Sequence, residues 1–257
     1  MGKTKIEWSE MSWNPITGCT KVSEGCKNCY AERMARRLAG RFGYQEYPYH
    51  FDVTYHEDKL KLPYKWKKPR RVFVCSMGDL FHENIDFQYT KKIWKVMAEN
   101  NQHVFQILTK RPEQMFKFIR WLAGADDISI AEFPQNVWVG VTAENQKTAD
   151  ERIPILFKTP AAVYFVSIEP MLEPISFHWV NWFPIKDYNY LDGLCQLDWL
   201  ICGGETGPGA REMKAEWAWS LYNQCREANV PFFFKKPGDA FEGGSLPLVR
   251  EYPRVEK

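Results

Sequence analysis

From residue 71 onward the chain alternates short apolar runs with amphipathic stretches, and that alternation limits it to a small set of folds. Apolar runs at 71–76, 103–108, 137–142, 162–169 and 198–202 read as strands, with a last short one at 230–234. Helical periodicity between them predicts a helix over 86–100 with Ile93, Trp94 and Met97 on one face, and another opened by Pro112 with Met115, Ile119 and Leu122 inward. Further helices are expected around 149–156 and over 214–229. Strands joined by helices in this way lie parallel, and their unbroken apolar character predicts burial on both faces. With 14–17 as a first strand the count is six, or seven with the last. A complete eight-stranded barrel uses about 250 residues. Of the 257 here, stretches at about 41–70 and 174–196 read as insertions. The expected fold is therefore α/β: a partial (βα)6 TIM-like barrel of parallel strands with outer helices, in a single domain over 1–257. An open doubly wound sheet is the alternative.

The chemistry gathers upstream of that alternation. Cys19, Cys26 and Cys29 form a C-x6-C-x2-C array, with Gly18 and Gly25 each just before a cysteine, where a tight turn would wrap an inorganic centre. Seven cysteines, an N-terminus without a signal-like apolar stretch and the lack of any membrane-length apolar run predict a cytoplasmic chain without a membrane span. There thiols stay reduced, which favours metal ligation over disulfides. Structural zinc closes four ligands, whereas an iron-sulfur cube on three cysteines keeps one iron open. His50 and His56 lie more than twenty residues beyond Cys29, and no second C-x2-C pair exists, so an open iron is the better reading. Zinc completed by His50 or His56, in a non-catalytic nucleic-acid-binding protein, is its rival. The helix after the array is expected to run from about Asn28 to Gly40, with Met34 and Leu38 inward and Arg33, Arg36 and Arg37 outward. Its first N–H groups would offset the negative charge of a thiolate-bound cluster.

The array with Tyr30-Ala31-Glu32 carries a resemblance, together with two later segments. These are Val74-Cys75-Ser76-Met77-Gly78-Asp79-Leu80-Phe81-His82 and Cys202-Gly203-Gly204-Glu205-Thr206-Gly207-Pro208-Gly209-Ala210-Arg211. From Trp8 to about Lys236 the chain resembles a family of phage and prophage proteins described as a domain of unknown function with a three-cysteine motif, grouped loosely with the radical S-adenosylmethionine enzymes. The resemblance implies one radical-enzyme-like domain, a [4Fe-4S] cluster on Cys19, Cys26 and Cys29, and S-adenosyl-L-methionine as the second cofactor. It also implies a 5′-deoxyadenosyl radical acting on an unidentified substrate, with electrons from a reductant protein such as flavodoxin or ferredoxin. Two features depart from the radical enzymes. Their usual spacing is C-x3-C-x2-C, and they place an aromatic residue before the third cysteine, where this chain has Asn28, with Tyr30 following Cys29.

In either parallel architecture functional groups collect at the carboxyl ends of strands. Those ends read Cys19, Ser76 with Asp79, Thr109 with Lys110, Thr142 with Glu144 and Asn145, Glu169, and Glu205. In the radical enzymes a polar segment after the second strand binds the cofactor's amine, and Ser76-Met77-Gly78-Asp79 occupies that place. Asp79 is therefore the expected amine ligand and Glu144 with Asn145 the expected ribose ligands, followed by Glu169 and Glu205. The plainer reading of Asp79 and Thr142 is helix capping. Gly203 to Gly209 lacks the Lys-Ser/Thr of a phosphate loop, so its glycines are expected to let backbone approach a cofactor or substrate. Cys75 and Cys202 read as packing more than as hydrogen-atom donors. Finally, 59–71 holds Lys59, Lys61, Lys65, Lys67, Lys68, Arg70 and Arg71 without an acid, with Tyr64 and Trp66 interleaved, in a chain of net charge +2. Such a segment suits nucleic acid, or a solvated approach to the next strand.

Overall fold

A computed structural model describes residues 4, 6–124, 133–178, 180, 182 and 193–253. In chain order these form β1 (Met11–Trp13), β2 (Ile16–Thr17), α1 (Tyr30–Leu38), β3 (Thr54–Tyr55), α2 (Glu57–Leu60), β4 (Arg71–Val74), α3 (Phe87–Glu99), β5 (Val104–Thr109) and α4 (Pro112–Ala123). Then come β6 (Val137–Thr142), α5 (Gln146–Leu156), β7 (Tyr164–Ile168), β8 (Trp199–Cys202), β9 (Met213–Lys214), α6 (Ala215–Glu227), β10 (Phe232–Phe234) and β11 (Phe241–Glu242).

Seven strands make one sheet in the order β1-β4-β5-β6-β7-β8-β10. Trp13 pairs Val74, Val74 pairs Ile107, Ile168 pairs Cys202 and Cys202 pairs Phe234, each in a parallel ladder. The order never turns back along the chain. A doubly wound sheet reverses at a switch point, whereas a barrel does not, so this is a partial parallel barrel flanked by helices, as expected. The last short strand is a full member, which brings the count to seven.

The first strand lies three residues earlier than the sequence suggests. Pro15 has no N–H to give a ladder, and Asn14 turns its side chain to accept from Met77 N at 3.1 Å. The chain therefore leaves the sheet at Trp13, and Ile16–Thr17 pair antiparallel with Thr54–Tyr55 instead.

The chain divides into two compact units, one of Met1–Val139 with Thr159–Ala162, the other of Gly140–Lys158 with Val163–Lys257. In the first, Ile93, Trp94 and Met97 of α3 and Met115 and Ile119 of α4 are buried, as their spacing requires, whereas Leu122 is half-buried and Phe118 is buried in addition. Phe118 gathers rings, lying 5.9 Å from Phe81 and 5.7 Å from Trp94. In the second, β7, β8 and β10 are buried almost throughout. Gln224 of α6 pins the start of the later insertion, accepting from Phe177 N at 2.7 Å and donating to Ile175 O at 3.1 Å. Much of that insertion, residues 179, 181 and 183–192, lies outside the described residues. Among the described residues no helix is long and apolar enough to cross a membrane.

Candidate functional site

The cysteine loop begins where two glycines touch. Gly18 has φ +90° and donates to Met77 O at 2.9 Å, and a Cβ on it would lie 2.1 Å from Asp52 O. A Cβ on Gly78 would lie 2.8 Å from Gly18 O. Only glycines permit this approach, which holds Cys19 against the end of β4. Gly25 lies in a short 3-10 turn, Glu24–Cys26. Cys29 is the N-cap of α1, at the helix end that favours negative charge, although its side chain makes no cap hydrogen bond. Cys19, Cys26 and Cys29 are all partly exposed free thiols. As they stand, no three His, Cys, Asp or Glu side chains among the described residues are arranged to hold a metal ion. The loop's chemistry nevertheless fits a thiolate-bound centre: three thiols, a helix N-terminus at one of them and a cation aimed at another.

That cation is Arg111, the last residue before α4, which the sequence reading did not single out. Its Nη1 donates to Cys19 Sγ at 3.2 Å and to Asp79 Oδ2 at 3.4 Å. Its Nη2 donates to Thr20 O at 3.0 Å and Thr20 Oγ1 at 2.9 Å, and its Nε to both Glu83 oxygens at 3.0 and 2.9 Å. Asp79, buried, is filled by protein donors: Thr109 Oγ1 at 2.8 and 2.9 Å, Phe81 N at 3.0 Å and Lys110 N at 3.2 Å besides Arg111. The expected amine ligand thus holds Arg111 and the β5–α4 turn in place. Burial, with Asp79 close by, pushes the Cys19 thiol up to about 11, and Arg111 opposes both. Ser76 is tied to Ser12 Oγ at 2.5 Å and Asn14 Oδ1 at 3.2 Å.

In the second unit each expected carboxylate has a cation of its own. Glu144, fully buried, accepts from Arg152 Nη1 at 3.0 Å. Asn145 is the N-cap of α5, accepting from Thr148 N at 2.9 Å in a reciprocal capping box. Glu205 takes Arg211 through Nη2 at 2.6 Å, Nε at 2.9 Å and the backbone N at 2.9 Å. Glu169, Gly203 and Lys235 follow the paired residues Ile168, Cys202 and Phe234 at the ends of three adjacent strands. With no side chain on Gly203, Lys235 Nζ reaches across to Glu169 Oε1 at 2.5 Å. The neighbouring Gly204 serves the fold, since a Cβ there would sit 1.9 Å from Pro237 O. Gly207 and Gly209 take φ +97° and +75°, which favour glycine. Cys202 and Cys75 are buried thiols whose pKa burial raises, which agrees with packing.

The basic segment 59–71 is more constrained than its composition implies. The Tyr64 hydroxyl bonds Glu99, Trp66 packs edge-on to His103 with ring centroids 5.6 Å apart, and Arg70 pairs Glu10 at 3.3 Å. Lys61, Lys65, Lys67 and Lys68 remain exposed.

A family model described as "Protein of unknown function (DUF5131)" matches residues 3–248. The chain belongs to this family. No curated protein and no solved structure matches it. The matched span takes in the cysteine loop, Arg111 with Asp79, and all three carboxylates of the second unit.

Proposed function

We propose that the chain is a radical S-adenosylmethionine enzyme, with Cys19, Cys26 and Cys29 holding a [4Fe-4S] cluster. The observation that carries this reading is the Arg111 guanidinium aimed at Cys19 Sγ from 3.2 Å, on a loop of three thiols at the carboxyl end of a parallel sheet. A positive N–H donor against a cysteine sulfur suits a thiolate that ligates a metal and tunes it from outside the ligand shell. For the rival, zinc completed by His50 or His56, His56 is the weaker fourth ligand, because that buried ring has Nε2 2.8 Å from Thr17 Oγ1, whereas His50 Nδ1 is buried without a hydrogen-bond partner among the described residues.

When bound, a cluster with one open iron supplies the electron that converts S-adenosylmethionine into a hydrogen-abstracting radical, the hard chemistry being the cofactor's. The chain's own residues hold and orient. Arg111 fixes Cys19 and Thr20, and Asp79 with Thr109 fixes Arg111. The electron would come from a flavodoxin- or ferredoxin-like protein, in a cytosol that keeps the thiols reduced.

Anaerobic reconstitution tests this. Parent protein should bind iron and sulfide and, once reduced, slowly form 5′-deoxyadenosine from S-adenosylmethionine without substrate. Cys19→Ala, Cys26→Ala and Cys29→Ala should each lose the cluster, and Cys75→Ala, Cys195→Ala and Cys225→Ala should keep it. Full iron and sulfide in any of the first three, or a colourless protein with stoichiometric zinc, would defeat the proposal.

A further inference from the structure

The segment running from α1 into β3 exposes more aromatic surface than a solvated loop needs. Tyr30, Phe42, Tyr47 and Tyr49 are 60%, 76%, 68% and 60% exposed. Four arginines, Arg33, Arg36, Arg37 and Arg41, accompany them against Glu32, Glu46 and Asp52, and Glu32 is paired with Lys21 at 3.1 Å. The parts adjoin. The Arg36 guanidinium lies 5.7 Å from the Tyr47 ring centroid, Arg41 N donates to Leu38 O at 2.9 Å, and Gly40 N donates to Gln45 O at 3.1 Å. Rings interleaved with arginines on one surface are what a flexible, unpaired polyanion with stacking faces would recognise. Tyr47 stacks on His50 with ring centroids 5.4 Å apart, while on 59–71 the Tyr64 hydroxyl bonds Glu99 and Trp66 packs on His103.

The same segment walls a cavity of about 380 Å³ against the first cysteine, with Gln45, Asp52 and Tyr55 facing Cys19, Thr20 and His82. That volume is within the ordinary range of ligand sites. Its lining includes no lysine or arginine. His82 Nδ1 accepts from Asn84 N at 3.1 Å, so its proton is on Nε2, which donates to Thr20 Oγ1 at 2.9 Å. Arg111 donates to the same oxygen, so the Thr20 hydroxyl proton is left to donate onward. The cavity therefore presents a hydroxyl donor, a carboxylate and an amide but no cation. This suits a base or sugar and not a phosphate.

We propose that residues 30–55 dock single-stranded nucleic acid: bases stack on the exposed rings, Arg36, Arg37 and Arg41 take phosphates, and one nucleoside turns into the cavity beside Cys19. That this strand is the substrate rests on the radical-enzyme reading; the docking does not. Duplex is disfavoured because its bases are already stacked and their edges paired.

Fluorescence anisotropy with labelled DNA and RNA strands of about 15 nucleotides, and with the matching duplex, tests the surface. Phe42→Ala/Tyr47→Ala/Tyr49→Ala should weaken single-strand binding about tenfold or more at unchanged melting temperature, since stacked bases would be lost. Arg36→Gln/Arg37→Gln/Arg41→Gln should lower the log-log salt slope by about 0.7 for each phosphate contact removed. Lys65→Gln/Lys67→Gln/Lys68→Gln should do neither. A strand carrying 2-aminopurine should brighten on binding parent protein but not Asn84→Trp, which fills the cavity while leaving the surface. Absence of binding by the parent, tighter duplex binding, loss only in the lysine variant, or brightening that persists in Asn84→Trp would each overturn the proposal. The assay needs no iron, so a protein that binds the strand but never assembles a cluster would sink the enzyme reading alone.

Discussion

Arg111 engages Glu83 through Nε, Cys19 and Asp79 through Nη1 and Thr20 through Nη2, so its whole fork is in use. It is nearly buried, as is Asp79, with side chains 4% and 8% exposed. Removing one partner of a buried pair leaves the other charge uncompensated, at about 3 to 5 kcal/mol. Thr109 and two backbone N–H groups still serve Asp79, so Arg111→Gln should cost near the low end, about 3 kcal/mol, by urea unfolding. Arg111→Lys keeps the charge without the planar fork, so it should recover part of that stability while lowering the reduction potential of the reconstituted cluster. A loss below about 1 kcal/mol in Arg111→Gln would mean the fork holds nothing. The sequence pointed to Asp79 and missed Arg111 for a physical reason. An arginine before Pro112 looks like a helix opening, and its sulfur partner is 92 residues away. Carboxylates at strand ends were legible; that each is matched by its own cation was not, because Arg152, Arg211 and Lys235 carry no local pattern.

Elements were easier to read than side-chain roles, and their errors have local causes. Helix α5 begins at Gln146, earlier than the apolar period suggests, because Asn145 and Thr148 close a capping box ahead of the first buried turn. Asn145 was expected at a ribose. If capping is its role, Asn145→Ala should lower stability by about 1 kcal/mol and leave S-adenosylmethionine affinity unchanged. Unchanged stability with weakened cofactor binding would return Asn145 to the ligand set. The shift of the first strand from 14–17 to Met11–Trp13 has a comparable origin. Pro15 was visible in the sequence, but the bond from Met77 to Asn14 that draws the chain away spans 63 residues.

For the whole molecule, parallel strands in unbroken chain order were legible because alternating apolar runs and amphipathic helices allow few other arrangements. The state of the histidines was not, since it depends on burial. His56, His82 and His103 are buried, and burial lowers each imidazole below its ordinary 6.5, with Lys59 adding to the effect at His56 and Arg111 at His82. The folded chain therefore holds neutral rings at a pH where the unfolded chain takes up protons. With more protons on the unfolded side, stability rises with pH. The contribution is fully present above about 6.5 and is lost as pH falls through the lowered folded values. Each histidine that stays neutral contributes up to about 1.4 kcal/mol per pH unit below that point. Carboxyl groups have ordinary values near 4 and mostly titrate below this window. Urea unfolding at pH 8.5, 7.5 and 5.5 should show a plateau between the first two and a loss of about 1 to 4 kcal/mol by the third. His103→Phe, placed among Trp66 and Phe105, should make the fall shallower whatever it does to stability at pH 7.5. A stability that stays level from pH 7.5 to 5.5 would mean that these rings are charged in the fold, and the neutral Nδ1 acceptor assigned to His82 beside the cysteine loop would fall with it.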